Sequence, residues 1–172
     1  MKKIIALSGS NSSQSINQAV VNYAATLVDN TEIIKLTEYT IPMYGIDLEK
    51  SIGIPDGVTA LQEKIMTADA LIISTPEHNG LMPAFFKNIL DWLSRTGVKY
   101  LADKTVIVMS ASPGNGGGQN AGDYVAKIIG YAGANVVGRF VFPKFADNFD
   151  QKTGRIVNEQ LNSELKLLLE GL

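Results

Sequence analysis

Short apolar runs alternate with segments of helical spacing along the whole chain. Five runs are predicted to be strands, because each holds several consecutive apolar residues and is bounded by turn-forming residues. They cover residues 4–7, 32–36, 69–75, 105–110 and 135–142. Between and after them, apolar residues recur every three or four positions, which is typical of helices that pack on one face. The predicted helices cover residues 15–27, 55–65, 83–94, 121–129 and 157–169.

This alternation of strands and helices predicts an α/β fold. Near-continuous apolar strands are typical of a parallel sheet buried on both faces, so we expect a doubly wound, three-layer arrangement. No linker, repeat or low-complexity segment divides the sequence, and we expect a single domain over residues 1–172. Right-handed crossovers place the carboxyl ends of all parallel strands at one edge. With the strand order 2-1-3-4-5, the turns at residues 9–17, 76–79 and 112–118 meet at that edge.

The predicted helix over residues 83–94 is apolar on most of its circumference, which indicates burial on two sides. Its apolar residues are Phe85, Phe86, Ile89, Leu90, Trp92 and Leu93. The connection at residues 40–48 is also unusually apolar for a loop. A connection of this kind either packs across a sheet edge or meets a partner subunit. Together with the helix it favours a second subunit over this region, in a homodimer or homotetramer. The alternative is a central helix in a monomer.

Composition narrows the class of partner. The 172 residues carry a formal net charge of −2, which provides no basic surface for nucleic acid, and they include no cysteine. The absence of thiols excludes disulfides, thiolate nucleophiles and cysteine-ligated metal sites, and no metal site is predicted. The apolar run before Ser8 is too short for a signal peptide, and no run reaches the length of a membrane span. We therefore expect a cytoplasmic protein with neither a membrane nor a nucleic-acid partner.

The turn after the first predicted strand, residues 9–17, is crowded with hydroxyl and amide side chains and is called the hydroxyl turn below. Ser15 and Gln18 have the spacing of a capping box, which predicts that a helix begins there. A helix N-terminus carries free N–H groups and a partial positive charge, so it favours an anion such as a phosphate. The alternative is a solvated serine-rich loop with an ordinary helix cap.

Several phosphate sites are excluded because their motifs are missing. The sequence has no G-x-x-x-x-G-K-[ST], and its first strand is followed neither by G-x-G-x-x-G nor by the acidic pocket of a receiver domain. The remaining hypothesis is a mononucleotide phosphate at the hydroxyl turn and a flat ring between the two other turns. These are the Pro-Glu turn, residues 76–79, and the glycine-rich turn, residues 112–118, where the backbone can approach a planar ligand closely. A flavin has this shape.

The sequence resembles the NADPH-dependent FMN reductase family over roughly residues 3 to 142. The resemblance rests on Gly9-Ser10, Ser15-x-Asn17, Ile41-Pro42-Met43-Tyr44, Asp47, Pro76-Glu77-His78-Asn79, Pro83, Lys87-Asn88-x-x-Asp91-Trp92-x-Ser94 and Pro113-Gly114-x-x-Gly117-Gly118. It implies a flavodoxin-like fold, non-covalent FMN, hydride transfer from NAD(P)H and reduction of a small-molecule electron acceptor. Members of the family are typically dimers or tetramers. The family includes quinone, azo and chromate reductases.

The family pattern implies that residues 9–17 hold the phosphate, that residues 76–79 meet the ring edge and that the glycine-rich turn lines the flavin from the other side. The predicted cofactor-binding residues are Gly9, Ser10, Ser12, Ser15, Ile16, Asn17, Pro76, Glu77, His78, Asn79, Ser112, Gly114 and Gly117. No catalytic side chain is predicted, because the cofactor carries the chemistry. Two departures stand out. Ser12 replaces the usual Arg, which leaves the choice between NADPH and NADH open, and His78 replaces the usual Tyr.

Several of these residues also have a structural interpretation. Glu77 can serve as a backbone-bonding carboxylate, Asn17 and Asn79 can form turns, and His78 can matter through its backbone alone. At the level of function, the leading hypothesis is an NAD(P)H-dependent FMN oxidoreductase. The alternatives are a flavodoxin-like electron carrier and a flavin-binding or interaction module without turnover. The physiological acceptor and the role of residues 144–154 stay open.

Overall fold

The computed structural model describes all of residues 1–172, and its centre is a five-stranded parallel sheet. The strands of this sheet are β1 (Ile4–Ser8), β2 (Thr31–Ile34), β3 (Ala70–Thr75), β4 (Thr105–Ala111) and β5 (Asn135–Phe142). Their order is β2-β1-β3-β4-β5. Ser8 lies opposite Ser74, and Thr75 lies opposite Ser110, so the carboxyl ends of the three central strands are level. The predicted fold class and strand order are confirmed.

Helices cover both faces of the sheet. They are α1 (Ile16–Ala25), α2 (Ile46–Ile52), α3 (Asp56–Met66), α4 (Ala84–Arg95), α5 (Gln119–Tyr131), α6 (Phe145–Asn148) and α7 (Glu159–Leu169). Buried residues of α1 and α7 share one apolar cluster with one side of the strands, and those of α3, α4 and α5 share another with the opposite side. Each central strand is therefore buried on both faces, which explains its continuous apolar sequence. None of the helices has the length and apolar character needed to cross a bilayer.

Element boundaries differ from the prediction where the apolar pattern is weak. Helix α2 begins inside the predicted connection and ends four residues beyond it. It has only seven residues and none of them is buried, so it is too short to show a clear helical period in the sequence. Strand β2 ends at Ile34, and Leu36 is buried instead in a short 3-10 turn, Leu36–Glu38. Helix α7 begins two residues later than predicted, because the Asn158 side chain caps it by accepting a hydrogen bond from Leu161 N.

Residues 144–154 form the short helix α6 and part of a small hairpin, made of β6 (Phe149–Asp150) and β7 (Arg155–Ile156). Phe145 and Phe149 stack with ring centroids 4.8 Å apart and are both buried. The segment is held by aromatic packing against the α1/α7 side of the sheet. Such packing leaves no periodic signal in the sequence.

The connection before α2 covers the outer side of α4. The Pro42 carbonyl accepts hydrogen bonds from Asn88 Nδ2 at 2.9 Å and from Trp92 Nε1 at 2.8 Å, while Tyr44 N donates to Asn88 Oδ1 at 2.7 Å. The Tyr44 ring meets the fully buried Trp92 ring edge-on, with centroids 5.1 Å apart. The apolar circumference of α4 is thus largely buried within one chain. This pattern gives no separate indication of a second subunit, and the oligomeric state stays a prediction.

An ionic contact secures α2 to the end of α4. The Arg95 guanidinium donates from Nε and Nη2 to the Glu49 carboxylate, and the Tyr44 hydroxyl donates to the same group at 2.9 Å. These hydrogen bonds, that from Arg95 first, lower the pKa of Glu49. The connection is therefore bonded to the middle of α4 through Pro42, and the helix that follows it, α2, is bonded to the end of α4 through Glu49.

Two helical glycines provide a matched test of this packing. A Cβ at Gly57 would overlap the carbonyl oxygen of Thr40, whereas a Cβ at Gly130 would meet nothing within 4 Å. Since alanine is the better helix former by about 1 kcal/mol, we expect Gly130→Ala to raise the free energy of unfolding slightly. Gly57→Ala should lower it by about 1–3 kcal/mol through overpacking. Urea unfolding of both variants measures the difference. Equal stabilisation by the two substitutions would contradict the close approach of α3 to residue 40.

Candidate active site

The three predicted turns lie at the same edge of the sheet and are connected by hydrogen bonds. Gly9 N, in the hydroxyl turn, donates to Ser74 O at 2.7 Å, just before the Pro-Glu turn. Asn17 reaches from α1 to the ends of both β3 and β4. The predicted convergence of the turns therefore has a direct cause in these contacts.

Asn17, in the first turn of α1, joins the ends of β3 and β4. Its side chain is 1% exposed, and its Oδ1 accepts hydrogen bonds from Ser74 Oγ at 2.7 Å and from Ala111 N at 3.0 Å. Its Nδ2 donates to Ala111 O at 3.0 Å. The amide oxygen therefore accepts two hydrogen bonds, and one of the two amide hydrogens is donated in a third. The geometry supports a positioning role for Asn17 more strongly than direct contact with a ligand.

Serine hydroxyls organise the hydroxyl turn. Ser8, Ser10 and Ser12 each accept a hydrogen bond at Oγ from the backbone N–H two residues later, at 3.2–3.3 Å. Ser15 Oγ accepts from Gln18 N at 3.1 Å and so caps α1 as predicted. The second half of the capping box is absent, because the Gln18 amide bonds Asn22 instead. The hydroxyl hydrogens of Ser10, Ser12 and Ser15 stay available for an anion. The N–H groups of the first two residues of α1 have no partner in the chain and are available as well.

A cavity of about 830 Å³ opens beside the hydroxyl turn. Ser10 to Ile16 line one part of it, and Phe145 and Phe149 line another. Lys35, which follows β2, is the only charged residue in the lining, and no carboxylate contributes to it. The cavity therefore combines hydroxyl donors, a helix N-terminus and one positive charge, a combination that suits a phosphate.

The Pro-Glu turn continues into a tight two-residue turn. Asn79 and Gly80 have φ values of 53° and 81°, and His78 and Leu81 exchange backbone hydrogen bonds of 2.8 and 3.1 Å across them. Two successive positive φ angles at an Asn-Gly pair are typical of a type I′ turn. Asn79 is thus a turn former, and the His78 side chain is exposed. The N–H groups of Glu77, Asn79 and Gly80 have no partner within the chain.

The glycine-rich turn is held from outside by the segment after β5. Lys144 N donates to Gly114 O at 2.9 Å, and Phe145 N donates to Ser112 O at 3.2 Å. Gly114 is exposed, and a Cβ there would meet nothing, whereas Gly117 is buried against Val141. One side of this turn is therefore open to a flat ligand, while the other side is packed on the sheet.

The structure divides the predicted site residues into two groups. Ser10, Ser12, Ser15 and Ile16 line the cavity at the hydroxyl turn. The remaining predicted residues lie outside the lining of that cavity, in the buried contacts and the two other turns described above: Gly9, Asn17, Pro76, Glu77, His78, Asn79, Ser112, Gly114 and Gly117. A separate cavity of about 420 Å³, between the last turns of α4 and α5, contains none of them.

Sequence reasoning missed four contributors to this edge. Ser8 and Ser74 belong to strands, and their polar side chains at the strand ends were the available signal. Lys35, one residue after β2, and Phe145, the first residue of α6, join the site only because the fold brings both into the lining of the same cavity. No local pattern in the sequence indicates those two.

Comparison with known proteins identifies the family. Residues 2–147 match the sequence profile of the NADPH-dependent FMN reductases. The chain belongs to this family. It is therefore an oxidoreductase of the FMN reductase type, and FMN and NAD(P)H are the cofactors of that family.

Relatives of this FMN reductase family member include proteins named as reductases. An NAD(P)H-dependent FMN reductase of Pseudomonas aeruginosa is 29% identical over 172 residues, covering 99% of this chain and 92% of that protein. A quinone reductase of Escherichia coli is 34% identical over 121 residues, covering 69% of this chain and 64% of that protein. Among solved structures, FerB of Paracoccus denitrificans, a flavoenzyme NAD(P)H:(acceptor) oxidoreductase, is 24% identical with a TM-score of 0.80. That match covers 99% of this chain and 94% of FerB. This structural likeness shows a shared fold.

Replacement of Asn17 tests its positioning role. In Asn17→Ala, Ser74 Oγ and both backbone groups of Ala111 lose their partner while buried, and each such loss costs about 1–3 kcal/mol. We expect the free energy of unfolding, measured with urea, to fall by about 3 kcal/mol or more. Gln18→Ala is the control, because it removes only an amide contact between Gln18 and Asn22 at the surface. A loss in Asn17→Ala no larger than that of the control would contradict the assignment.

Proposed function

We propose that this enzyme takes hydride from NAD(P)H onto FMN bound across the three turns and passes it to a small acceptor. The acceptor class comprises quinones, azo compounds, metal oxyanions and free flavin. The observation that carries the proposal is the connection of the three turns through Asn17, beside a cavity without carboxylates. Residues 1–172 would form one functional domain.

The hydroxyl turn fits the phosphate of FMN. Ser10, Ser12 and Ser15 present hydroxyls whose oxygens already accept backbone hydrogen bonds, so their O–H groups are available as donors. The first N–H groups of α1 add further donors and the positive end of the helix dipole. Lys35 supplies a positive charge in this chain, where Ser12 stands in place of the family's arginine.

The two other turns fit the flavin ring. A flavin has acceptor atoms along its polar edge. The Pro-Glu turn offers unpartnered N–H groups from Glu77 and Asn79, and Gly80, which follows the turn, offers a third. The exposed glycines of the glycine-rich turn leave room for the flat face of the flavin ring. Bound FMN would supply the redox chemistry, accepting hydride at the ring and releasing it to the acceptor.

The residues of this chain bind and orient, and none is assigned as an acid or base. His78 is exposed and its backbone groups are both used in the turn with Leu81, so its side chain is free to contact an acceptor. Met43, 70% exposed, and Ile46, 48% exposed, leave apolar surface beside α4. That surface supports a homodimer or homotetramer, which we propose as the assembly.

A spectrum of the purified protein tests the function. We expect one FMN bound per chain, and anaerobic NADH or NADPH should bleach its absorption, because nicotinamide donates hydride to the bound ring. Addition of a quinone should then restore the colour. A protein that binds FMN but is reduced by neither nucleotide would instead be an electron carrier. A protein that does not bind FMN would contradict the proposal altogether.

Lys35 provides a second test, directed at the phosphate. Removal of a solvent-exposed positive charge near an anion costs up to about 1 kcal/mol, so we expect Lys35→Ala to weaken FMN binding about two- to fivefold at low salt. Salt screens this attraction, and the difference should shrink at about 1 M ionic strength. Lys50→Ala, on the exposed face of α2, is the control. Fluorescence titration of FMN gives both affinities. A difference that is unchanged by salt would argue against an electrostatic role.

A further inference from the structure

The N-cap residue of helix α5 has no side chain that could cap the helix. Its N-cap is Gly118, at φ 76° in the left-handed region, where other residues are strained. Gln119 N bonds Gly116 O, and Gly122 N makes the first helical bond, to Gly118 O. The N–H of Ala121 therefore needs an acceptor from elsewhere in the chain.

Glu77 supplies that acceptor from the neighbouring turn. Its Oε2 accepts a hydrogen bond from Ala121 N at 3.2 Å, across 44 positions of sequence. A carboxylate at this position also meets the positive end of the α5 dipole. The contact joins the Pro-Glu turn directly to the helix that follows the glycine-rich turn.

A buried hydroxyl lies beside this contact. Ser110 is fully buried, and its Oγ is the only buried hydroxyl without a hydrogen-bond partner. A Cβ built on Gly118 would be 3.3 Å from the Cβ of Ser110 and 3.6 Å from the Cβ of Glu77, so both of these side chains begin next to the same glycine. The absence of a side chain at residue 118 leaves room for the carboxylate to reach α5.

From these contacts we infer that Glu77 is a positioning residue that holds the Pro-Glu turn and the glycine-rich turn at a constant separation. The inference rests on the proposed function, since these turns are the two sides of the proposed ring site. The hydroxyl turn is held separately, through Asn17. Loss of the Glu77 contact should therefore weaken recognition of the flavin ring and leave recognition of the phosphate unchanged.

Three variants distinguish the contribution of the hydrogen bond between Glu77 and Ala121 N from that of the Glu77 charge and from the effect of removing any exposed carboxylate. Glu77→Ala removes the acceptor, Glu77→Gln keeps a neutral acceptor, and Glu63→Ala removes an exposed carboxylate of α3 as the control. We expect Glu77→Ala to weaken binding of both FMN and riboflavin by about tenfold, a factor consistent with loss of one charged hydrogen bond. Glu77→Gln should restore most of that affinity. Calorimetry with inorganic phosphate should give the same affinity in all variants.

Hydrogen–deuterium exchange of the FMN-free protein provides a readout that does not depend on the cofactor. The amides of residues 112–122 should exchange faster in Glu77→Ala than in the wild type, while those of residues 9–17 should not change. If Glu77→Ala fails to fold, Glu77→Asp takes its place, because the shorter side chain does not reach Ala121.

Unchanged flavin affinity in Glu77→Ala would overturn the inference, and so would equal losses in the Gln and Ala variants. Failure of the wild type to bind FMN would contradict the proposed function instead. The exchange experiment would then still test whether Glu77 connects the two turns.

Discussion

The buried amide of Asn17 is the interaction on which the candidate site depends. A parallel sheet brings strand ends to one edge, but it does not by itself hold the turns that leave those strands. Asn17 bonds the ends of β3 and β4 from the first turn of α1, and all of its partners are buried. Because unpaired polar groups are costly in the interior, this arrangement favours one relative position of the three strand ends.

This edge of the sheet carries two different kinds of ligand-binding group. The hydroxyl turn uses side-chain hydroxyls, a helix N-terminus and the charge of Lys35, which suit a phosphate. The two other turns use backbone N–H groups and exposed glycine, which suit the edge and face of a ring. None of these groups has to donate or accept a proton in the reaction, so the scaffold can serve the redox chemistry of a cofactor with several acceptors.

The periphery of the fold supports the site through backbone contacts that carry little sequence signal. Residues 144–145 hold the glycine-rich turn through two backbone hydrogen bonds, and the segment around them is fixed by phenylalanine packing. In a similar way, Pro42 offers its carbonyl to Asn88 and Trp92. Asn88 and Trp92, two residues of the family pattern, therefore attach the connection before α2 to α4. Their spacing along the helix does not by itself indicate this role.

The sequence by itself determined the alternation of strands and helices. The edge at which the turns meet followed from taking the strand order 2-1-3-4-5 for a doubly wound sheet. The alternation could be determined because buried parallel strands and helix caps are local patterns, as the Ser15 cap shows. Only the tertiary structure decided that the side chains of Asn17 and Glu77 bond to other parts of the chain and that Lys35 lines the same cavity as the hydroxyl turn. Those partners are separated by tens of residues, and their pairing depends on how the strands stack, which no local pattern encodes.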